Sequence, residues 1–600
     1  MKIFVLYLSF KLCCSFSVKF PNKILTKYKN KITVADYIIE RLKDKNINKV
    51  FGYNGGAILP FFDKIYKHDD FDIIVNRHEQ SSGHCAQGYA KVSNNIGVLV
   101  TTSGPGLTNV ITPLQDAYSD GTPLLCISGQ VNSKTLGTDA FQECNAIEIT
   151  KSCVKSNVQI TTTKNFVKKF EDMINLAEEP RQGPVHLDIC KDIFTEYIDL
   201  STFISDVTVY NLIKNNKPKF EVTNKAIADL LEFKARLDKS KKPIIIAGAG
   251  AKKSYKKLRR FIQKYKIPTT TTLHGLGVID EYDELALNMC GMHGSYEANM
   301  ALTNSDLIIG IGNRFDDRTV GKLSEYGENA RNGQGIIHID NSLDQINKVK
   351  DLISPDLSIN IDCEILLKFI NDYYYDEYID RSIWINEINR YKESFRLKYD
   401  PNLLTSNYII YILSKVLKNN DNYILTTGVG SHQMVVAQYF NHRYPNKLLT
   451  SGSLGTMGSG LGFAIGAQIA NPNSTVILID GDGSFTMSSN DLATIKEYNL
   501  PIKIIIMNDK KLKMVDMWQN IFYDQRKIGS SFKYEINFNK LADCYNIKNY
   551  LCDSNDILNN LYNMISYDGP VLFNCMIDKS ICLPFVPNNT TLSNMILDKN

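Results

Sequence analysis

Short runs of Val, Ile and Leu that end in Gly, Ser, Thr or Asp recur along this chain of 600 residues. Unbroken apolar runs of this kind are typical of strands buried on both faces, as in parallel sheets that helices cover. Segments with amphipathic helical spacing lie between the runs, so we predict an α/β fold. The main runs are residues 97–106, 123–130, 185–190, 243–250, 306–314, 335–340, 476–483 and 502–509.

Three groups of these runs predict three domains, each with a mostly parallel sheet flanked by helices. The joins between the groups are polar or charged and lack the buried-strand pattern. Ligands bind at the carboxyl ends of strands in open α/β sheets, and most Gly-rich and acidic signals of the sequence lie at such ends. We place the domains at 33–195, 221–365 and 401–585, with linkers at 196–220 and 366–400 and a tail at 586–600.

The charge balance argues against nucleic acid as a partner, because 68 basic and 64 acidic residues leave a net charge of only +4. The 13 cysteines include no C-x-x-C pair, so we expect neither a zinc site nor a disulfide scaffold. No apolar run reaches the roughly 18–20 residues of a membrane span, so no membrane partner is expected.

The first 32 residues differ in character from the rest of the chain. A short apolar core at 3–10 is followed by a Lys- and Asn-rich stretch, and no acidic residue occurs before Asp36. A hydrophobic core followed by a basic, acid-poor stretch is typical of a targeting segment. We therefore predict a targeting segment at 1–32, with an extension of no function as the alternative.

An acidic residue between two glycines ends one of the apolar runs. Asp482 stands between Gly481 and Gly483, and the next run along the chain ends in Asn508-Asp509. Mg²⁺ is commonly held by one or two carboxylates together with substrate phosphates, and flanking glycines let the backbone approach a diphosphate. One helix and one strand fill the interval, so the two strand ends can converge on one ion. An ordinary strand-to-helix turn is the alternative for the glycine motif taken alone.

The segment from Gly481 to Asp509 resembles the thiamine-diphosphate binding motif, which is a GDG followed by Asn about one βα unit later. TTSGPGLTN at 101–109 and GTDAFQE at 137–143 resemble the first domain of acetolactate synthases, and GIGNRFDDR at 310–318 resembles their central domain. The chain is identified as resembling the catalytic (large) subunit of that family over about residues 33–580.

The resemblance implies thiamine diphosphate and Mg²⁺ as cofactors. Asp482, Asp509 and Lys511 match the metal shell, and Glu79 in R-H-E-Q matches the glutamate that activates the cofactor. Taken alone, Glu79 would rather be read as an acid paired with a helix dipole. Further matched cofactor positions are Gly430, Ser431, His432, Gly455, Met457, Gly481, Gly483, Ser484, Met514 and Val515.

The substrate pocket is expected to involve five residues of the same match, namely Gln142, Phe141, Met514, Val515 and Trp518. Met514, Val515 and Trp518 share one helical face, which without the resemblance would be read as core. In this family the Trp favours a larger second ketoacid. Met457 matches the residue that bends thiamine diphosphate, although core packing is the usual fate of a methionine.

The middle domain resembles the FAD-binding domain of acetolactate synthases. FAD would have a non-redox role, since the net carboligation has no redox step. A nucleotide needs cations and backbone N–H groups, although a surface arginine in an ion pair is the commoner case. The matched positions are Arg181, Gly248, Gly250, Leu273, Met292, His293, Arg314, Asp340 and Asp362.

The match departs from the family pattern at the second metal position. Asp509 stands where the family has Asn, and Lys513 stands where it has Gly. We hypothesise that the Lys513 charge offsets the charge added by Asp509. The other departures are Ser431 for Gln, Gly462 for Pro, and Asn54 and Asn132 for Pro.

The resemblance implies an enzyme that decarboxylates pyruvate and joins the hydroxyethyl unit to a second pyruvate or to 2-ketobutyrate. It also implies a homodimer or tetramer with active sites at the subunit interface, and a small regulatory subunit as a further partner. The expected location is an organelle, with the plastid first and the mitochondrion second. The alternatives are another enzyme of the superfamily, such as pyruvate oxidase, glyoxylate carboligase or oxalyl-CoA decarboxylase, and a non-catalytic paralogue.

Overall fold

The structure, a computed structural model, describes residues 31–199, 224–373, 379–552, 556–577 and 582–597. Their contacts group them into two compact units. The first unit contains the described residues of Met1–Val222, Ser453–Ser474 and Met487–Ile502. The second unit contains those of Thr223–Gly452, Thr475–Thr486 and Lys503–Asn600.

The first sheet has six parallel strands in the order β3-β2-β4-β5-β7-β6 and lies in the first unit. A separate antiparallel pair joins β1 to β8. The strands are β1 Lys31–Thr33, β2 Lys49–Gly52, β3 Asp72–Val75, β4 Gly97–Thr101, β5 Leu124–Gln130, β6 Ser156–Ile160, β7 Pro184–Cys190 and β8 Tyr197–Asp199. The helices are Val34–Asp44, Leu59–Ile65, Glu79–Ser93, Pro105–Thr108, Ile111–Asp120, Ala146–Thr150 and Phe166–Glu178.

The second sheet lies in the second unit and has six parallel strands in the order β11-β10-β9-β12-β13-β14. Its strands are β9 Pro243–Ala247, β10 Thr269–Thr271, β11 Ala286–Met289, β12 Leu307–Ile311, β13 Gly335–Asp340 and β14 Leu357–Asn360. Its helices are Asn224–Lys239, Tyr255–Tyr265, Tyr296–Asn304, Asp317–Val320, Glu328–Asn332, Leu343–Ile353, Cys363–Tyr373 and Ser382–Ser394.

The third sheet also lies in the second unit, with six parallel strands in the order β16-β15-β17-β18-β20-β19. Its strands are β15 Tyr423–Thr427, β16 Leu448–Leu449, β17 Thr475–Gly481, β18 Lys503–Asn508, β19 Lys548–Cys552 and β20 Val571–Met576. The remaining helices are Ser406–Val416, Ser431–Tyr439, Ser459–Ala470, Asp482–Thr486, Leu492–Glu497, Lys513–Phe522, Phe538–Cys544 and Ile557–Ser566.

Burial explains why the apolar runs form strands. Every residue of β4, β5, β7, β9 and β12 is buried, as the unbroken Val/Ile/Leu pattern predicts for a sheet covered on both faces. All eight runs contain a strand of a parallel sheet, which confirms the predicted α/β fold class.

Glycine allows two helices of the first unit to pack very closely. A Cβ at Gly88, in the helix Glu79–Ser93, would lie 2.4 Å from the Phe463 oxygen of the helix Ser459–Ala470. A Cβ at Gly466 would lie 1.9 Å from the Cys85 oxygen, and one at Gly462 would lie 2.6 Å from the His84 Cβ. Gly462, one of the departures from the family pattern, therefore stands where a larger residue would force the helices apart.

The predicted domain boundaries stay predictions. The predicted linker at 366–400 includes the helix Ser382–Ser394, whose Trp384 is buried and donates from its Nε1 to the Pro243 oxygen at 3.0 Å. The predicted tail begins with Val586, whose backbone N–H donates to the Met292 oxygen at 2.7 Å.

Residues 1–30 of the predicted targeting segment lie outside the described residues. Within the described part of the chain, none of the helices has both the length and the apolar character that a membrane crossing requires.

Candidate active site

Two carboxylates meet at the carboxyl ends of neighbouring strands of the third sheet. β17 and β18 are parallel partners with Gly481 opposite Met507, so Asp482 and Asp509 each follow a paired strand end. Asp482 Oδ1 and Asp509 Oδ2 are buried and have no hydrogen-bond partner among the described residues. Burial and the nearby Asp509 carboxylate raise the pKa of Asp482 to about 7. Burial also raises the pKa of Asp509.

This arrangement fits a divalent cation. Buried carboxylate oxygens without partners are costly unless a ligand satisfies them, and Mg²⁺ prefers oxygen ligands of this type. Lys513 Nζ lies 3.7 Å from Asp509 Oδ2. The positive charges of Lys513 and Lys511 partly oppose the rise that burial causes in the pKa of Asp509. The structure thus places the three predicted metal-shell residues, Asp482, Asp509 and Lys511, just after the ends of the neighbouring strands β17 and β18.

A glycine-built cradle lies beside these carboxylates. β15 pairs with β17, and the helix Ser431–Tyr439 follows β15, with Gly430 immediately before its first residue. A Cβ at Gly481 would lie 2.9 Å from His432 Nδ1, and one at Gly428 would lie 2.2 Å from Ser484 Oγ. His432 Nε2 lies 3.2 Å from Asp480 Oδ1 but forms no hydrogen bond with the described residues. The backbone can therefore come close to a diphosphate at this strand edge.

An apolar cavity of about 520 Å³ opens beside the helix Lys513–Phe522. Three of its lining residues were predicted from the sequence, namely Met514, Val515 and Trp518. The others follow along the helix and the turn after it, and the sequence reasoning missed them: Gln519, Tyr523, Arg526 and Ile528. Gln519 comes directly after Trp518 in the same helix, next to the predicted helical face. Tyr523, Arg526 and Ile528 follow no periodic pattern that could have indicated them.

Glu79 begins the helix Glu79–Ser93 in the first unit and is half-buried. Asn109 Nδ2 donates to Glu79 Oε2 at 3.0 Å. Asn109 was not singled out from the sequence, although it closes the quoted TTSGPGLTN segment. Glu79 Oε1 accepts no side-chain hydrogen bond from the described residues.

The first unit also contains five other predicted positions, of which Phe141 is 88% exposed. Gln142 has a φ of +62°, and a Cβ at Gly104 would lie 2.9 Å from its backbone oxygen. Gly455 has a φ of +75° and Met457 stands two residues before the helix Ser459–Ala470. Arg181 Nη2 donates to the Ser119 oxygen.

The predicted FAD positions of the middle domain gather at one edge of the second sheet. Each follows or ends one of the six parallel strands, so that all lie on the carboxyl side of the sheet. They are Gly248 after β9, Leu273 after β10, Met292 and His293 after β11, Arg314 after β12, Asp340 at the end of β13 and Asp362 after β14. Nucleotides bind on this side of an open α/β sheet.

The glycines of this edge have a structural reason of their own. Gly248 N–H donates to the Ile311 oxygen at 2.9 Å, and Gly250 N–H donates to the Gly312 oxygen at 3.0 Å. A Cβ at Gly248 would lie 2.2 Å from the Gly312 oxygen. These two N–H groups are already used, so the glycines can shape a nucleotide site but not donate to a phosphate.

The side chains at the same edge are partly occupied by protein contacts. Arg314 Nη2 lies 3.3 Å from Asp316 Oδ2, within an ion pair. His293 Nδ1 lies 3.5 Å from Cys582 Sγ, and burial lowers the pKa of His293 to about 3. His293 is therefore neutral and would meet a ligand as a dipole, not as a cation.

Family models match all three predicted domains. Residues 32–149 match the N-terminal TPP binding domain of thiamine pyrophosphate enzymes. Residues 230–370 match the central domain of these enzymes, and residues 428–575 match their C-terminal TPP binding domain.

Curated relatives match almost the full length of the chain. The mitochondrial acetolactate synthase of Schizosaccharomyces pombe is 39% identical, with 92% of this chain and 85% of the relative covered. The acetolactate synthase large subunit of Lactococcus lactis is 38% identical, with 94% and 96% covered. The chloroplastic acetolactate synthase of Arabidopsis thaliana is 34% identical, with 94% and 84% covered. With these relatives beside the thiamine-diphosphate domains and the carboxylate pair of the third sheet, the chain belongs to the acetolactate synthase family.

Proposed function

We infer that the chain is the catalytic subunit of a thiamine-diphosphate-dependent acetolactate synthase. It decarboxylates pyruvate and joins the two-carbon unit to a second pyruvate, giving 2-acetolactate, or to 2-ketobutyrate, giving 2-aceto-2-hydroxybutyrate. This is the first common step of branched-chain amino-acid biosynthesis. One observation carries this proposal most directly, namely that Asp482 Oδ1 and Asp509 Oδ2, two buried oxygens without a hydrogen-bond partner among the described residues, stand at neighbouring strand ends, with Asp509 shortly before the helix that lines the apolar cavity.

Asp482 and Asp509 would hold Mg²⁺, with Lys511 contributing to the same shell. The cation and the N–H groups around Gly481 and Gly483 would together neutralise a diphosphate. As in the family, the cofactors are thiamine diphosphate, Mg²⁺ and FAD. Bound thiamine diphosphate supplies the electron sink that lets pyruvate lose CO₂ and its remaining two carbons attack a second carbonyl.

Glu79 would hold a proton for the cofactor's aminopyrimidine ring at Oε1. Asn109 donates to the other oxygen, Oε2, and so fixes the orientation of the carboxyl group. A half-buried acid held in one orientation is suited to share a proton with a ring nitrogen. Met457 would hold the cofactor in its bent shape. Gly455, two residues before it, has a positive φ.

The apolar cavity would receive the acceptor ketoacid. Trp518 packs edge-on against Phe522 and Phe585, with ring centroids 5.7 and 5.8 Å away, so its indole has little freedom to move. Arg526 is the only cationic side chain that lines the cavity within the described residues, and it would attract a carboxylate. We also propose Gln142 as a substrate contact.

FAD would lie along the carboxyl edge of the second sheet. The glycine contacts keep this edge open to a ligand, and Arg314 would meet a phosphate after releasing Asp316. We also propose Arg181 as an FAD contact. Since carboligation moves no electrons to the flavin, its role there is structural.

We propose further that the active unit is a homodimer or tetramer in which Glu79 of one subunit serves the Asp482 site of another. Relatives named large subunits support a small regulatory subunit as a partner. Relatives named mitochondrial and chloroplastic support an organellar location, for which the plastid is our first proposal.

Product analysis separates this proposal from its nearest rivals. The purified chain is supplied with pyruvate in air, with and without 2-ketobutyrate. We expect 2-acetolactate in the first case and 2-aceto-2-hydroxybutyrate in addition in the second. Peroxide and acetyl phosphate in place of these products would indicate a pyruvate oxidase.

A non-catalytic paralogue is tested by binding alone. Calorimetric titration with thiamine diphosphate and Mg²⁺ should show saturable binding that the Asp482→Asn variant weakens. Absence of saturable binding would favour the paralogue.

A further inference from the structure

A continuous row of side-chain hydrogen bonds starts at the strand end that carries the metal site. Asn508 Nδ2 donates to Asn574 Oδ1 at 3.1 Å, and Asn574 Nδ2 donates to Asn539 Oδ1 at 3.1 Å. Asn539 Nδ2 donates to Asn549 Oδ1 at 3.0 Å, and Asn549 Nδ2 donates to Asp543 Oδ1 at 2.6 Å. We name these five residues the amide relay. Such a row is unusual, because only about 10–15% of protein hydrogen bonds join two side chains.

The outer end of the amide relay sets its direction. The Asn549 amide group donates to two acceptors, the carboxylate of Asp543 and the Ile547 backbone oxygen, the latter at 3.2 Å. Neither acceptor can donate, so the nitrogen of Asn549 must face them. Its oxygen must then face Asn539.

Each following amide inherits this direction. Asn539 can only donate to the Asn549 oxygen, which turns the Asn539 oxygen towards Asn574. Asn574 must likewise donate outwards, and Asn508 must donate its nitrogen to Asn574. A carboxamide has one acceptor end and one donor end, so the orientation that Asp543 imposes on Asn549 is passed from amide to amide as far as Asn508.

Asn508 is consequently fixed through both its side chain and its main chain. It is 2% exposed, and its backbone oxygen accepts from Ile577 N–H at 3.1 Å. Its Oδ1 accepts no hydrogen bond from the described residues and remains available as an acceptor. The next residue along the chain is Asp509.

We propose that the amide relay is a positioning device for the metal site: acceptor-only Asp543 fixes the orientation of Asn508 and thereby the strand end that presents Asp509. This proposal rests on the proposed function, since it matters only if Asp509 holds Mg²⁺. The five residues are positioning residues, because they act through Asp509. Groups that orient metal ligands in this way typically change metal affinity by about 10–100-fold when replaced.

The test uses three variants of Asp543, which is exposed and can be replaced without opening the core. Asp543→Glu keeps an acceptor-only end, Asp543→Ala removes the end, and Asp543→Lys replaces it with a donor-only group. A lysine would turn the Asn549 oxygen outwards and set two donors against each other at Asn539. The readout is the Kd of Mg²⁺ in the presence of thiamine diphosphate, measured by calorimetry on the full chain without pyruvate.

We expect the Kd to stay within about twofold for Asp543→Glu, to rise about threefold for Asp543→Ala and to rise about tenfold for Asp543→Lys. Asp568→Lys is the matched control, because Asp568 is an exposed acid of the same domain outside the amide relay. Its Kd should stay near that of the original chain, and the midpoints of thermal unfolding of the three Asp543 variants should also stay near that of the original chain.

Equal Kd values for the three Asp543 variants would overturn the proposal, as would an Asp568→Lys effect equal to that of Asp543→Lys. A loss of affinity that follows a lowered unfolding midpoint would also overturn it, since that pattern is a stability effect. If the original chain itself binds no Mg²⁺, the proposed function fails and the amide relay fails with it.

Discussion

Lys513 Nζ lies 3.7 Å from Asp509 Oδ2, and both side chains are mostly withdrawn from water, with 21% and 9% of their surface exposed. Lys513 is the first residue of the helix Lys513–Phe522. A cation at this position balances the Asp509 carboxylate, which we propose as a metal ligand. The pair gives a physical basis for reading Asp509 and Lys513 as one compensated change from the family's Asn and Gly.

Replacing both Asp509 and Lys513 should change the apparent Mg²⁺ affinity less than replacing either residue alone. Asp509→Asn leaves Lys513 as an unpaired cation, and Lys513→Gly leaves an unbalanced carboxylate beside the diphosphate, so each should weaken the apparent Mg²⁺ affinity. The double variant should recover most of this loss, with a coupling of about 1 kcal/mol, or about fivefold.

The measurement is the Kd of Mg²⁺ at saturating thiamine diphosphate, for the two single variants and the double variant. Lys510→Ala is the matched control, since Lys510 pairs with Glu535 at 2.7 Å and not with Asp509. Losses that simply add in the double variant would contradict the compensation.

Glu79→Gln should abolish most turnover while leaving cofactor binding intact. The amide cannot exchange a proton with the aminopyrimidine ring, and proton transfer by a positioned side chain contributes about 10²–10⁴-fold. Asn109→Ala should cause a smaller fall in kcat, because it frees the Glu79 carboxyl but does not remove it. Steady-state kinetics with calorimetry of the cofactor check both; a Glu79→Gln variant with unchanged kcat would rule out this role.

Trp518→Leu should shift the choice of acceptor away from 2-ketobutyrate by about tenfold, because the larger ketoacid loses its contact with the indole. The product ratio from an equal mixture of pyruvate and 2-ketobutyrate measures this. Trp384→Phe is a suitable control, since the chain has 2 tryptophans and Trp384 is buried in the second sheet's core. It should lower stability and leave the ratio unchanged; an unchanged ratio in Trp518→Leu would exclude the indole from acceptor selection.

Lys503 begins the strand that leads to Asn508 and Asp509, and its Nζ donates to the Tyr567 and Gly569 oxygens. Burial lowers its pKa from 10.5 to about 8. Between these values the unfolded chain binds more protons than the folded one, so stability rises as pH rises. This gain in stability is lost as the pH falls through about 8, the pKa of Lys503 in the folded chain.

Because stability rises with pH in this range, we predict a pH-dependent difference in thermal stability between Lys503→Met and the original chain. The advantage of the original chain in thermal midpoint should grow from about pH 7.5 to about pH 9.5. Lys540→Met, at an exposed lysine of the same domain, should show no such trend. A constant difference between Lys503→Met and the original chain would mean that Lys503 does not titrate in this window.

The parallel sheets could be predicted because their central strands are apolar along their whole length. β9 and β12 show this pattern directly, and Asp482 could be predicted because a carboxylate between two glycines ends such a strand. The family resemblance then added Glu79 and the FAD positions on the carboxyl side of the second sheet. Apolar patterning alone cannot distinguish these residues from those of ordinary turns.

Contacts between residues distant in sequence could not be predicted. Asn508 and Asn574 lie 66 positions apart, and neither belongs to a periodic pattern that would pair them. The Asn109 donor to Glu79 is 30 positions away for the same reason. Gly248 shows a pattern that predicted the wrong reason for a residue. A glycine at a strand end predicts a phosphate contact, but here the close approach of the Gly312 backbone requires it.

The most direct test of the central claim is the stoichiometry of pyruvate consumption by the purified chain with thiamine diphosphate, Mg²⁺ and FAD. Labelled pyruvate gives the CO₂ released and the 2-acetolactate formed in one experiment. We expect one CO₂ and one 2-acetolactate for every two pyruvates, with both lost in Asp482→Asn. One CO₂ for every pyruvate, with acetaldehyde or acetyl phosphate as the product, would contradict it.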